Sequence, residues 1–218
     1  MSITLTPTDQ LAITTGDSNY INNKGADLYS TGNYAAAVEY YRLAAAMGNV
    51  DAVSNLGYCY LYGRDIEPNT SLSIGYFKTA ADRGSVDAAY KLGDVYGTAK
   101  WGVEDKELSI YYYRLAATYL IGGPWENPAV ILNCCKLCRY PSLCYALGRE
   151  MMPGGGVATD LEVAYQFLLQ AKAGYEIALA DGDSFYEKSL AGVNQLLADP
   201  VFVPILSDYE EYENYADE

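Results

Sequence analysis

The sequence predicts an all-α protein, an α-solenoid of antiparallel helix hairpins (an α/α superhelix) with about ten helices. The first observation behind this prediction is a repeat of 36 residues. The segment Tyr41-x-x-Ala44-Ala45-x-x-Gly48 returns as Phe77-x-x-Ala80-Ala81-x-x-Gly84, and its first part returns again as Tyr113-x-x-Ala116-Ala117. A fixed period of roughly 20–50 residues is typical of stacked units that bury their apolar faces against one another.

The second observation is a helical spacing inside each repeat. The segment Ala52-x-x-x-Leu56-Gly57-x-x-Tyr60 returns as Ala88-x-x-x-Leu92-Gly93-x-x-Tyr96, and its apolar residues, four apart, line one helical face. Gly57 and Gly93 lie in the helix interior, where glycine is about 1 kcal/mol less favourable than alanine. Because this unfavourable residue recurs, we expect the second helix of each pair to approach the backbone closely there.

The helix ends carry their own signals. Gly48 and Gly84 stand where a helix C-terminus favours a left-handed residue. Serine or aspartate stands at five expected helix starts, which are Ser18, Asp51, Asp87, Asp160 and Ser184.

The domain organisation follows from where the repeat holds and where it breaks. Residues 1–17 are a lead segment, and residues 18–206 are the repeat domain. The pattern is interrupted near 121–140, where we expect an irregular helix at about 128–139, and the last helix is expected near 184–198. Residues 207–218 form an acidic tail without a basic residue, which we expect to be solvated and disordered.

Two kinds of repeat unit resemble known families. Lys24-Gly25-x-x-Leu28-x-x-x-Gly32-x-Tyr34-x-x-Ala37-x-x-x-Tyr41-x-x-Ala44 resembles the tetratricopeptide consensus. Gly154-x-Gly156-Val157-x-x-Asp160-x-x-x-Ala164-x-x-Phe167-x-x-x-Ala171-x-x-Gly174 resembles a Sel1-like repeat, which has a glycine-containing loop between its helices. Trp101-Gly102-Val103-x-Asp105 and Gly63-x-Asp65-Ile66 are weaker copies of that loop. The resemblance implies a non-catalytic scaffold or adaptor that binds a peptide or a partner helix in a concave groove.

The resemblance also indicates which residues line that groove, when Gly25, Gly57, Gly93 and Gly148 are aligned as equivalent points. The first unit contributes Asn22, Ala26 and Tyr29; the second Asp51, Ser54, Tyr58 and Tyr62; the third Asp87, Tyr90 and Asp94; the last Tyr145 and Arg149. Tyrosine offers a large contact area at low entropy cost, and the three aspartates favour a basic ligand. The other interpretation is that these tyrosines only cover helix surfaces, and the sequence leaves both open.

Charge and composition restrict the partner. The chain carries 14 basic and 28 acidic residues, a net charge of −14, so it would repel nucleic acid and anionic membranes. The N-terminus shows no signal peptide and no segment is apolar enough to span a membrane, so a cytoplasmic protein is expected. The sequence therefore predicts a protein or peptide partner, and it also leaves open self-association through the ends of the array.

The sequence predicts no enzyme and no cofactor. Histidine is absent, which excludes Ser-His and Cys-His pairs and histidine-ligated metals. The Gly154–Gly156 run lacks the lysine and the preceding strand of a phosphate-binding loop, so we interpret it as a turn between helices.

The cysteines supply the alternative function. Four thiols, Cys134, Cys135, Cys138 and Cys144, could complete a metal site or serve a thiol-dependent enzyme or sensor. On a helix, however, Cys134 and Cys138 share a face while Cys135 points elsewhere. Buried thiols that pack as small apolar side chains are therefore the favoured interpretation.

Overall fold

The computed structural model describes residues 3–122, 140–155 and 159–205. Within these ranges the chain forms ten α-helices and no strand, which confirms the predicted all-α class. The helices are α1 (Pro7–Thr15), α2 (Ser18–Ser30), α3 (Tyr34–Ala46), α4 (Val50–Tyr62), α5 (Thr70–Ala81), α6 (Val86–Tyr96), α7 (Lys106–Ile121), α8 (Pro141–Glu150), α9 (Leu161–Ala180) and α10 (Glu187–Leu197). The irregular helix expected at about 128–139 and the acidic tail lie outside the described residues.

The chain divides into two compact units, Met1–Glu104 and Asp105–Glu218. In the first unit α2 pairs with α3 and α4 with α5, and in the second unit α8 pairs with α9. We call α2, α4, α6 and α8 the A helices, and α3, α5, α7 and α9 the B helices. Short 3₁₀ turns lie at Ala99–Trp101, Ser184–Tyr186 and Pro200–Phe202.

Side-chain caps fix where the helices begin, and they repeat with the sequence. Asn33, Asn69 and Asp105 are 36 residues apart, and each accepts a hydrogen bond from a backbone N–H in the first turn of its B helix. Asn49 and Ser85 do the same for α4 and α6. The predicted starts at Asp51 and Asp87 are therefore the second residues of their helices, where a carboxylate still interacts favourably with the positive end of the helix dipole. Asn49 and Ser85 were not predicted as caps because the aspartate two positions after each of them also suits a helix start.

Helix starts and ends elsewhere agree more closely with the sequence. Asp160 caps α9 as predicted, and α2 begins at the predicted residue Ser18, with Asp17 as its cap. Ser184 opens a 3₁₀ turn ahead of α10. Gly48 and Gly84 have φ values of +91° and +88°, the left-handed conformation expected at these helix ends.

The paired helices touch at the interior glycines of the A helices. A Cβ atom on Gly57 would lie 2.8 Å from the ring of Phe77 on α5, and Phe77 is fully buried. A Cβ on Gly25 would lie 2.8 Å from the ring of Tyr41, and one on Gly148 would lie 2.9 Å from Leu168 Cγ. These separations are shorter than a carbon–carbon contact allows, so only glycine permits this approach. The close approach expected at Gly57 is confirmed.

The lead segment is part of the packing of the first unit. Asp9 on α1 is fully buried, and its carboxylate accepts hydrogen bonds from Lys24 Nζ at 2.6 and 2.7 Å. It also accepts from Tyr40 Oη at 2.8 Å and from the backbone N–H of Thr6 at 2.7 Å. Burial alone would raise the pKa of Asp9, but the hydrogen bonds from Lys24, Thr6 and Tyr40 together hold this pKa well below its usual value.

Exchanging glycine for alanine at two helical positions tests the close approach of the paired helices. We expect Gly57→Ala to lower the free energy of unfolding by about 1–2 kcal/mol, because the buried Phe77 ring has no room to move aside. Gly75→Ala is the matched control, since Gly75 is an exposed α5 residue whose added Cβ would meet nothing within 4 Å. Urea unfolding followed by circular dichroism should show Gly75→Ala raising that free energy by up to about 1 kcal/mol. Two variants with the same stability would contradict the account.

The Asp9 ion pair predicts a pH dependence of stability. At pH 7 we expect Asp9→Asn to lower the free energy of unfolding by about 2–3 kcal/mol, below the ~3–5 kcal/mol of a fully buried pair because Lys24 keeps some contact with water. The folded-state pKa of Asp9 is depressed, so the stabilisation is complete above the unfolded value of about 3.9 and is lost as the pH falls below it.

The measurement is urea unfolding of wild type and Asp9→Asn at a series of pH values. The difference between the two proteins should stay constant from about pH 8 to pH 5 and shrink below about pH 4. A difference that is unchanged down to pH 2 would show that the charge of Asp9 is not what holds α1.

Candidate functional site

Adjacent A helices of the first unit are joined by polar side chains. Asn55 Nδ2 on α4 donates to Asn22 Oδ1 on α2 at 3.0 Å, and Asn49 Nδ2 donates to Asn19 Oδ1 at 2.8 Å. Asn22 is only 8% exposed. The predicted groove residue Asn22 therefore connects two repeats and offers little surface to a ligand.

The same kind of connection joins α4 to α6. Asp87 accepts a hydrogen bond from Ser54 Oγ at 3.1 Å and another from Tyr58 Oη at 3.1 Å. Ser54 is 3% exposed, so it too is covered by the neighbouring repeat. Burial, followed by the negative charge of Asp87, raises the pKa of Tyr58, so the hydroxyl remains a donor at neutral pH. We call the four hydrogen bonds between adjacent A-helix repeats, Asn49–Asn19, Asn55–Asn22, Ser54–Asp87 and Tyr58–Asp87, the polar seam.

An aromatic row runs beside the polar seam and comprises Tyr58, Tyr62 and Trp101. The rings of Tyr58 and Tyr62 are parallel within 8° with centroids 6.3 Å apart, and the rings of Tyr58 and Phe77 meet at 83° with centroids 5.0 Å apart. Tyr62 meets Trp101 almost at a right angle, 78°, with centroids 5.7 Å apart. Tyr62 is 42% exposed, so the row is open to solvent at this residue.

A lysine on α6, Lys91, contacts Tyr58 of the aromatic row. Lys91 Nζ lies 5.5 Å from the centroid of the Tyr58 ring and 5.8 Å from that of Tyr90, and it pairs with Asp94 Oδ2 at 2.9 Å. Burial alone would lower the pKa of Lys91, but the charge and hydrogen bond of Asp94 raise it, so the ammonium stays charged. Asp94 is therefore half-buried and paired, whereas Asp51 and Asp87 are exposed, Asp87 while it accepts the hydrogen bonds from the side chains of α4.

The remaining predicted residues lie in other clusters. Tyr29 packs edge-on against Tyr34 at 4.9 Å, and Arg64 lies 5.1 Å above the Tyr34 ring. In the second unit the guanidinium of Arg149 lies 5.6 Å from the centroid of the Tyr145 ring. The Tyr145 hydroxyl reaches α10, where it would lie 3.1 Å from a Cβ atom added at Gly192. The structure therefore brings together, in the first unit, the predicted residues Ser54, Tyr58, Tyr62, Asp87, Tyr90 and Asp94.

Around the aromatic row, three residues were not predicted from the sequence, namely Lys91, Lys100 and Trp101, and Asn55 of the polar seam was not predicted either. Lys91 stands three residues before Asp94, a spacing at which opposite charges on a helix pair, and this signal was available. Lys100 and Trp101 belong to a loop, and no helical period could place them beside Tyr62.

The cysteine alternative finds no support in the part of the chain that the structure describes. Cys134, Cys135 and Cys138 lie outside it. Cys144 is buried and its Sγ lies 3.8 Å from Gln170 Oε1. Burial raises the pKa of the Cys59 thiol to about 11, so that thiol is protonated at neutral pH. No group of three or more histidine, cysteine, aspartate or glutamate side chains within the described ranges could hold a metal ion.

None of the described helices combines the length and the apolar character that crossing a bilayer demands.

Comparison with protein families matches the helix pairs closely. The family model described as "Sel1 repeat" matches residues 15–49, 50–85, 86–118 and 141–174. The first, second and fourth matches enclose α2–α3, α4–α5 and most of α8–α9, so each is one A helix followed by its B helix. A search of curated proteins gives no match.

Solved structures that are similar to this chain include two repeat proteins. A Sel1 repeat protein from Oxalobacter formigenes is 27% identical, with a TM-score of 0.47, over 70% of this chain and 95% of that one. The protein c5321, described as a protective antigen of uropathogenic Escherichia coli strains with an SLR fold, is 21% identical, also with a TM-score of 0.47. That match covers 77% of this chain and 42% of c5321, so the chain matches less than half of that protein's length.

Proposed function

The chain belongs to the Sel1 repeat family, and on this premise we propose that it is a non-catalytic scaffold that binds a peptide or partner helix. Sel1 repeat proteins generally act as protein-interaction scaffolds. The binding surface we propose is the A-helix face of the first unit, where the aromatic row lies beside the polar seam. One observation carries the proposal: an exposed tyrosine, Tyr62, stands in a row of aromatic rings that the protein itself holds in place.

The fixed geometry of the row favours binding. Tyr58 is held by its hydrogen bond to Asp87 and by its contact with Phe77, and Tyr62 packs between Tyr58 and Trp101. Side chains that are already ordered lose little conformational entropy when a ligand arrives. Tyrosine and tryptophan are also the residues most often found to carry binding energy in protein interfaces.

Charge favours a basic ligand at this surface. Asp51 is exposed in the first turn of α4, and Asp87 is exposed while it accepts two internal hydrogen bonds. The chain as a whole carries a net charge of −14, which accelerates the approach of a positively charged partner and slows that of nucleic acid.

A random-peptide display library selected against the full chain tests this proposal. We expect the enriched peptides to be basic and to lose about tenfold in affinity on Tyr62→Ser, the loss of one well-packed aromatic contact. Tyr111→Ser is the matched control, because Tyr111 is an exposed tyrosine, 56% accessible, on α7 of the second unit. Affinity is measured by fluorescence anisotropy of the labelled peptide, and circular dichroism checks that both variants fold.

Two results would overturn the proposal. One is a library from which no peptide is enriched. The other is a set of enriched peptides that bind Tyr62→Ser as tightly as wild type, which would place their site elsewhere.

A further inference from the structure

Tyr62 and Trp101 form an aromatic corner that holds a cation. Their rings meet at 78° with centroids 5.7 Å apart. The ammonium of Lys100 lies 4.3 Å from the centroid of the Trp101 ring and 5.9 Å from that of Tyr62. A cation within about 6 Å of a ring centroid is attracted by the negative face of the ring. The corner therefore has the geometry of a cation-binding site, and the protein's own lysine occupies it.

The two lysines of this surface are held very differently. Lys91 is 15% exposed and pairs with Asp94 at 2.9 Å, so moving it would break a partly buried ion pair. Lys100 is exposed, and within the described residues its ammonium pairs with no carboxylate. Lys100 can therefore leave the corner and be hydrated at little cost in free energy, whereas Lys91 is fixed.

We propose that the Tyr62–Trp101 corner binds the guanidinium of an arginine side chain of the partner, which displaces Lys100. This inference rests on the proposed function and specifies which ligand chemistry the surface selects. Guanidinium is planar and more weakly hydrated than an ammonium, and it stacks on aromatic faces. An incoming arginine is thus easier to desolvate than the lysine it replaces, and the displaced lysine regains its hydration.

The arrangement makes arginine and lysine distinguishable. Both carry one positive charge, so the attraction of an acidic protein for either is the same at long range. The contact with two aromatic faces is what differs, because the lysine ammonium loses more hydration on entering the corner. A preference for arginine over lysine at equal peptide charge is therefore the signature of the corner.

Two peptides of equal charge, hexa-arginine amide and hexa-lysine amide, test the inference on the full chain at physiological salt. We expect hexa-arginine amide to bind more tightly, measured by fluorescence anisotropy of the labelled peptides. Lys100→Gln should strengthen its binding about two- to fivefold, because the competing internal cation is removed. Lys188→Gln is the matched control, since it removes an equal charge from an exposed position on α10 and should strengthen binding less than Lys100→Gln does.

Substituting either ring of the corner should abolish the preference for arginine over lysine. Tyr62→Ala and Trp101→Leu should each reduce the affinities of the two peptides to the same value, and circular dichroism shows whether the variants fold. The inference is overturned if hexa-lysine amide binds wild type as tightly as hexa-arginine amide, or if Lys100→Gln changes binding no more than Lys188→Gln does.

The outcome separates this inference from the proposed function. Display-selected peptides that require Tyr62 but show no preference for arginine would leave the scaffold standing and remove the guanidinium site. A preference for hexa-arginine amide that depends on Tyr62 and Trp101, with no peptide enriched from the library, would support the corner and overturn the wider binding surface.

Discussion

Each of three helix pairs is built on the contact between an A-helix glycine and a large side chain of its B helix. Gly57 against Phe77, Gly25 against Tyr41 and Gly148 against Leu168 bring paired helices closer than any other residue would allow. Alanines of the B helices continue the close packing, since Ala44, Ala80 and Ala171 are fully buried. A mid-helix glycine is locally unfavourable, so its recurrence reflects the packing that it permits.

That packing decides which side chains of the A helices remain available. With α2, α4 and α6 side by side, the residue three positions before Gly25 and the one three positions before Gly57 are turned towards the next repeat. Asn22 and Ser54 occupy such positions and are hydrogen-bonded across the polar seam, which satisfies polar groups that would otherwise be unfavourable to bury. The aromatic row, with Tyr62 exposed, is left as the open part of the surface.

The fold was predictable because its determinants are periodic, and the site was predictable only in part. The 36-residue step and the interior glycines predicted the helix pairs and their close contact. The same alignment placed Asn22 and Ser54 in a groove, because one helix alone does not reveal how its neighbour in the next repeat covers it. Lys100 and Trp101 lie at a repeated interhelix loop, but the repeat of a loop does not reveal that these side chains meet Tyr62. Nothing in the sequence links Asp9 to Lys24 either, since buried ion pairs depend on tertiary distances.

Chemical-shift mapping by NMR of the full chain, with a saturating display-selected peptide, tests most directly that ligands bind on the A-helix face of the first unit. The account predicts that the Trp101 indole N–H and the backbone amides of α4 and α6 shift on binding. It is contradicted if the Trp101 indole is unchanged and the shifts fall on α3 and α5, or only on residues 105–205.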